Sequence, residues 1–275
     1  MDIFHAIIFG IIEGITEFLP VSSTGHLTIA EKLLGYDISD PAMTAFTAFI
    51  QVGATLATVL YFRADIWRVL SAWVRGVGGG DKASADYRTG SAIIIGSVPI
   101  AVVGLLFKDF IETGLRSLWF VAFGLLAWSA VMYWAEKHAT LKRLEKSTTW
   151  KDMLIVGGMQ CIALIPGVSR SGATISGSLM LGFDRVTATR LSFFLSIPAL
   201  MAAGILQGIT RADTISQGIG WTATLVATAV SFVVAYAAVA WLLKYIATHG
   251  FKNFIIYRVL LGVALVVMLT TGVIS

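Results

Sequence analysis

Charge is what this sequence has least of. Only 13% of its 275 residues are Asp, Glu, Lys or Arg, and 57% are hydrophobic, against about 25% and roughly 45–50% in a soluble globular domain. That balance excludes an ordinary soluble enzyme, and with it disorder, collagen and a coiled coil. A single cysteine, Cys161, excludes an intramolecular disulfide and a Cys-type zinc site; lying in an apolar stretch, it reads as a small buried hydrophobe. Proline is scarce, at 5 residues, whereas glycine numbers 27, a proportion suited to membrane helices whose backbones approach closely. The N-terminus has no basic segment, and its first apolar stretch runs into glutamates where a small-residue cleavage site would stand, so it is not expected to be a cleaved signal. The net charge of +4 fits basic cytoplasmic loops better than a nucleic-acid partner.

What is present is a polytopic hydropathy pattern. A bilayer-spanning helix needs about 20 apolar residues, and six segments qualify: 43–62, 91–107, 118–134, 191–209, 221–243 and 254–273. Two further apolar stretches are interrupted. The first, 3–19, breaks at Pro20-Val21-Ser22-Ser23-Thr24-Gly25 and resumes over 26–34; the second, 153–165, breaks at Pro166-Gly167-Val168-Ser169-Arg170-Ser171-Gly172 and resumes over 173–181. Irregular polar backbone is tolerated at membrane depth only when buried in protein or lining a wet cavity. Both stretches therefore read as re-entrant helix–loop–helix hairpins. With that layout the segments 63–90, 135–152, 183–190 and 244–253 share one side and carry 14 Lys and Arg, against 3 in 36–42, 108–117 and 210–220. The excess places the first set in the cytoplasm; the first hairpin then enters from outside and the second from the cytoplasm.

The hairpins resemble each other. Ser22, Thr24 and Gly25 align with Ser169, Ser171 and Gly172, and ten residues beyond each of those glycines stands a second one, Gly35 and Gly182. The expected fold is an all-α polytopic membrane protein with about six transmembrane helices and two re-entrant hairpins arranged as inverted-topology repeats, an architecture that places a site at the repeat interface. It forms one domain over 1–275: a first repeat at about 1–134 with hairpin 3–35, and a second at about 153–275 with hairpin 153–182.

Glu13 and Glu17 are the only acidic residues well inside an apolar segment, where an ionisable group costs roughly 2.5–3.5 kcal/mol and usually marks function. Their i, i+4 spacing puts both on one helical face. A divalent cation such as Mg2+ or Ca2+ would relieve their repulsion; a carried proton or a helix end in the headgroup region are the alternatives. His26, which alone would read as structural, follows Ser22, Ser23 and Thr24 closely enough to complete a nucleophile–base set. Arg170, the one cation in either break, stands among Ser169, Ser171 and Thr174 and reads as an anion clamp, or else as a partner of Glu13 or Glu17. Gln160 could add an amide to either arrangement. Arg258 is explained by snorkelling to the interface, His5, His138 and His249 by positions at segment ends or in loops, and Lys142, Arg143 and Lys146 by topology and lipid headgroups.

Two stretches, EGITEFLPVSSTGH (13–26) and PGVSRSGAT (166–174), resemble the signature motifs of the bacterial undecaprenyl-diphosphate phosphatases, the BacA/UppP family. The resemblance covers essentially the whole chain. It implies an inner-membrane enzyme that hydrolyses undecaprenyl diphosphate to the monophosphate carrier used for peptidoglycan and other envelope polymers, with attendant bacitracin resistance. By motif, Glu13 and Glu17 match the family's metal-linked acidic pair, Ser23 and His26 its nucleophile and acid/base partner, and Ser169, Arg170 and Thr174 its phosphate-binding segment. Expected are a divalent cation, a polyprenyl diphosphate substrate and membrane lipids, with a homodimer left open and the site facing the periplasm. A lipid-carrier transporter built on the same repeats is the rival reading, but it would not need a Ser/His pair beside paired carboxylates.

Overall fold

The computed structural model describes residues 1–107, 110–115 and 117–274. Lys108 and Arg116, which the charge count assigns to the 108–117 loop, lie outside the described residues. The chain is helical almost throughout: α1 (Ile3–Thr16), α2 (Ser23–Leu33), α3 (Pro41–Tyr61), α4 (Arg63–Val77), α5 (Ala85–Leu106), α6 (Leu118–His138), α7 (Trp150–Ile162), α8 (Arg170–Met180), α9 (Arg185–Thr210), α10 (Ala212–Gln217), α11 (Trp221–Ile246) and α12 (Lys252–Thr270). Six of these, α3, α5, α6, α9, α11 and α12, are long and apolar enough to cross a membrane, and each overlaps one of the six spans expected from hydropathy. Their starts are chemically marked. Asp40 caps α3 with Pro41 in its first turn, and Ser84, Ser117 and Asp184 cap α5, α6 and α9, each side chain accepting an otherwise orphaned N–H.

The two interrupted stretches are short helix–break–helix units whose chain returns to where it began. At the open end of α1–α2, Tyr36 Oη lies 2.9 Å from His5 Nδ1, and the N-terminal amine donates to Ile219 O just before α11. At the open end of α7–α8, Arg143 grips Asp152 on α7 with both Nη atoms while its backbone N–H donates to Gly182 O beyond α8. The first unit thus opens toward the end of α9 and the second toward its beginning, helix ends that 26 residues hold about 39 Å apart. Packing is reciprocal as well: α1 lies on α11, and α7 on α5. In the first seam Gly10 and Gly14 face the α11 backbone, and in the second Gly157 faces Gly96 so closely that a Cβ on either would strike backbone. Such contacts let bare helices approach and gain dispersion energy where lipid leaves little hydrophobic drive.

Three readings need correction. Segment 63–90, taken as a loop, contains α4, which is too charged to register as a span. It turns Val69 and Gly76 inward and leaves Trp67, Leu70, Val74 and Val77 exposed. Arg143, assigned to lipid headgroups, is instead a tether: besides holding Asp152, its guanidinium lies 4.2 Å from the centre of the Phe183 ring. Cys161, expected to be buried, is only partly so, and its Sγ donates to Gly157 O.

Candidate functional site

The two breaks meet inside the molecule. Each ends in a serine that caps the next helix from an unusual backbone conformation. Ser22 (φ 77°) accepts from Gly25 N, and Ser169 (φ 75°) accepts from Gly172 N. Positive φ is strained for a non-glycine residue and clusters at functional sites. Ten residues on, α2 and α8 stop alike. Gly35 (φ 79°) and Gly182 (φ 87°) take the left-handed position, while Tyr36 N donates to Glu31 O and Phe183 N to Ser178 O, closing the same glycine-terminated cap. One constant offset carries Gly10, Glu13, Ser22, Gly25 and Gly35 onto Gly157, Gln160, Ser169, Gly172 and Gly182.

Across the meeting point, Arg170 Nη2 donates to Glu17 Oε1 at 2.7 Å, and the Ser23 hydroxyl donates to Glu17 Oε2. Glu17 is 6% exposed, so one carboxylate joins the cation of the second break to the hydroxyl of the first. Arg170 is only partly spent. Among the described residues its Nε and Nη1 are buried with no hydrogen-bond partner, and the Phe18 ring lies 5.7 Å from the guanidinium. The pairing with a glutamate, read as an alternative to anion binding, coexists with two guanidinium nitrogens that it does not use. Ser171 Oγ donates to Leu19 O, fastening the second break to the first.

These groups border a partly open cavity of about 230 Å3. Its polar lining comprises Glu17, Ser22, Ser23, Thr24, Ser169 and Arg170, together with Gln51 and Gln160; Ile100, Leu164, Ile165, Ala199, Leu200 and Ala203 are among its apolar lining. Because α2 and α8 both begin here, first-turn N–H groups and the positive ends of two helix dipoles face the same space.

Not every expected residue reaches it. Thr174 Oγ1 donates back to Arg170 O and lies 2.6 Å from Ser192 Oγ, fully buried behind the cavity, and Ser171 serves the contact with Leu19. His26 also stands apart. Its Nδ1 lies 2.7 Å from Ser22 O, its Nε2 lies 2.6 Å from Tyr257 Oη, and its ring stacks on that tyrosine. The partner of the Ser23 hydroxyl is therefore Glu17, in place of the expected histidine. Glu13 is completely buried beside Glu17, and among the described residues no N–H group and no Ser, Thr or Tyr hydroxyl donates to either of its oxygens. Two carboxylates with one arginine leave a negative charge uncompensated, which suits a cation or a proton. Among the described residues no third His, Cys, Asp or Glu joins them. Such a sparse set fits a hard cation that completes its oxygen shell from phosphates and water.

Arg258 is the largest correction at the site. Rather than snorkelling, it is fully buried on α12 and donates to Ser129 Oγ, Gly124 O and Leu125 O on α6, and to Pro20 O and Gly167 O, one in each break. One guanidinium thus ties both irregular segments to the same helix. Its position about one turn inside the last apolar segment was the available signal. Gln51 carried none beyond being polar in a span.

The family model described as bacitracin resistance protein BacA matches residues 6–264. The chain belongs to this family. Among BacA-family relatives, undecaprenyl-diphosphatase 3 of Frankia casuarinae is 59% identical over 100% of this chain and 99% of its own length. The undecaprenyl-diphosphatase of Cutibacterium acnes is 52% identical over the whole of both chains, and that of Acidothermus cellulolyticus 48% identical over 98% and 97%. Family membership and six apolar helices together make this a multi-pass membrane protein of the BacA family.

Proposed function

We propose that this chain hydrolyses undecaprenyl diphosphate to undecaprenyl phosphate and inorganic phosphate, returning the lipid carrier to peptidoglycan and envelope-polymer synthesis. The same activity accounts for bacitracin resistance, since that antibiotic sequesters the substrate. The observation that carries the reading is the convergence of Arg170, Glu17 and Ser23 from two breaks onto one cavity lined by both polar and apolar side chains. The relatives' names support it over lipid transport.

In the proposed reaction, Arg170 Nε and Nη1 bind oxygens of the terminal phosphate, and the starts of α2 and α8 add partial positive charge, the kind of fixed stabilisation that phosphoryl transfer requires. Ser23 Oγ attacks the terminal phosphorus while Glu17 takes its proton. The anhydride P–O bond breaks and the lipid monophosphate departs along the apolar lining. Water then attacks the seryl phosphate, releasing inorganic phosphate and restoring Ser23. Ser22, Thr24 and Ser169 offer further donors, Ser171 and Thr174 brace the second break, and His26 with Tyr257 holds the backbone of Ser22. Glu13 and Glu17 would hold a divalent cation, Mg2+ or Ca2+, which when bound offsets charge on the transferring phosphoryl group.

The hairpins are proposed to be re-entrant, and the halves inverted repeats, which the opposite openings of the two units and the matched caps support. The site is assigned to the periplasmic face of the inner membrane, as the basic excess on the other side implies. Phosphate release from undecaprenyl diphosphate by the purified protein tests the activity; no release from folded protein refutes it. An impermeant thiol reagent applied to cells with Thr24→Cys in a Cys161→Ala background tests the orientation, and labelling only after the cytoplasm is exposed refutes it.

A further inference from the structure

Gln160 sits on α7 where the offset between hairpins places the counterpart of Glu13. Both residues are 0% exposed. Gln160 borders the cavity, and its carboxamide oxygen and nitrogen are both buried without a hydrogen-bond partner among the described residues. A buried amide left with neither donor nor acceptor satisfied loses free energy on folding, so it needs a ligand to repay that cost. Arg170 at the head of α8 borders the same cavity, and its Nε and Nη1 likewise have no hydrogen-bond partner among the described residues.

We propose that Gln160 is a diphosphate-binding residue, donating from Nε2 to a phosphate oxygen of the group that Arg170 holds. The inference rests on the proposed hydrolase reading and deepens it. The difference between the repeats is chemical: at equivalent positions the first hairpin carries a carboxylate and the second its neutral isostere. Glu13 supplies negative charge where a cation or proton is wanted. Gln160 keeps the same length and an N–H donor without charge, on the side where the anion lies. A carboxylate at that position would face the phosphate with like charge and no donor.

The test uses purified full-length protein in detergent, with Gln160→Leu and Gln160→Glu. Undecaprenyl diphosphate gives KM and kcat, calorimetry gives the affinity for inorganic pyrophosphate, and thermal melts report folding. Losing a hydrogen bond to a charged group is expected to weaken pyrophosphate binding and raise KM by about 10- to 100-fold in Gln160→Leu. Gln160→Glu is expected to be worse in both, with kcat falling less than KM rises. Wild-type affinity and KM in either folded variant overturn the proposal. Should Gln160→Leu fail to fold, the size-conserving glutamate variant decides, and undiminished pyrophosphate binding by it is the overturning result. Absence of phosphate release from wild type defeats the hydrolase reading alone; loss of pyrophosphate binding in the variants would still uphold Gln160 as an anion ligand.

Discussion

Arg170→Lys isolates what the guanidinium contributes beyond its charge. Nη2 is committed to Glu17 Oε1 at 2.7 Å, while Nε and Nη1 stand buried without partners among the described residues. In the proposed complex those two groups donate to oxygens of the terminal phosphate. Lysine has a compact ammonium in place of the planar fork, so holding Glu17 and bridging two phosphate oxygens are no longer possible together. Two hydrogen bonds to a charged group are worth about 3–6 kcal/mol, of which a retained ammonium recovers roughly half. A net loss of about 2–3 kcal/mol predicts a decrease in kcat/KM of roughly 30- to 150-fold. Arg170→Ala is a poorer probe, because it strands the Glu17 side chain at 4% exposure and removing one partner of a buried pair destabilises by about 3–5 kcal/mol. The assay is phosphate release from undecaprenyl diphosphate across a range of concentrations, paired with a detergent-phase melt of each variant. A folded lysine variant within about threefold of wild type, a difference under 1 kcal/mol, would refute the bidentate role.

Ser23→Ala should abolish measurable turnover while leaving substrate binding near wild type, and trapping of phosphate on Ser23 in the wild type would identify the attacker directly; turnover within about tenfold, or 1.4 kcal/mol, would return that role to water. Arg258→Met strips the shared donor from Pro20 O and Gly167 O, and at about 1–3 kcal/mol for each buried carbonyl left unsatisfied both the melting temperature and activity should fall together. An unchanged melt would contradict the tethering role. EDTA should stop phosphate release and Mg2+ or Ca2+ restore it, with Glu13→Gln losing the restoration; full activity in EDTA would leave Glu13 to a proton. Partial burial works to raise the Asp65 carboxyl, but hydrogen bonds from Arg190 and Arg68 outweigh it and hold the group below the ordinary carboxylate range. A depressed carboxyl stabilises the fold above its unfolded value near pH 4 and loses that contribution as pH falls through the folded value. Asp65→Asn should therefore flatten the acid limb of the melting curve below about pH 4, and an identical limb would refute the coupling.

The sequence by itself determined the class of the protein, because the reasons are one-dimensional. Six runs of about 20 apolar residues specify six spans whatever their neighbours, and Gly/Ser-rich breaks flanked by short apolar halves specify helix–break–helix units. The repeat was legible in Ser22, Gly25 and Gly35 against Ser169, Gly172 and Gly182, since caps and glycine stops are set by local backbone geometry. The motif residues Glu17, Ser23 and Arg170 were legible for the same reason: charge and hydroxyls are expensive at membrane depth and stand out from an apolar background.

Pairings across the fold were decided only by tertiary structure. Along the chain Arg170 could be an anion clamp or a partner of Glu13 or Glu17, and only the fold selects Glu17, 153 residues away, and makes Glu17 in place of His26 accept from Ser23. His26 was turned toward Tyr257 by the docking of α12, a contact 231 residues distant. Arg258 read as an interfacial cation because a lone arginine near a span end can snorkel; only the packing of α12 on α6 shows it enclosed by carbonyls. Gln160 was a weak signal for the same reason. An amide in an apolar helix is chemically ambiguous until the fold shows it sealed in a cavity wall, opposite in sequence role to Glu13 and with no partner of its own among the described residues. Local backbone preference and hydropathy are written residue by residue, whereas the direction a buried polar group faces is settled by whichever helix packs against it.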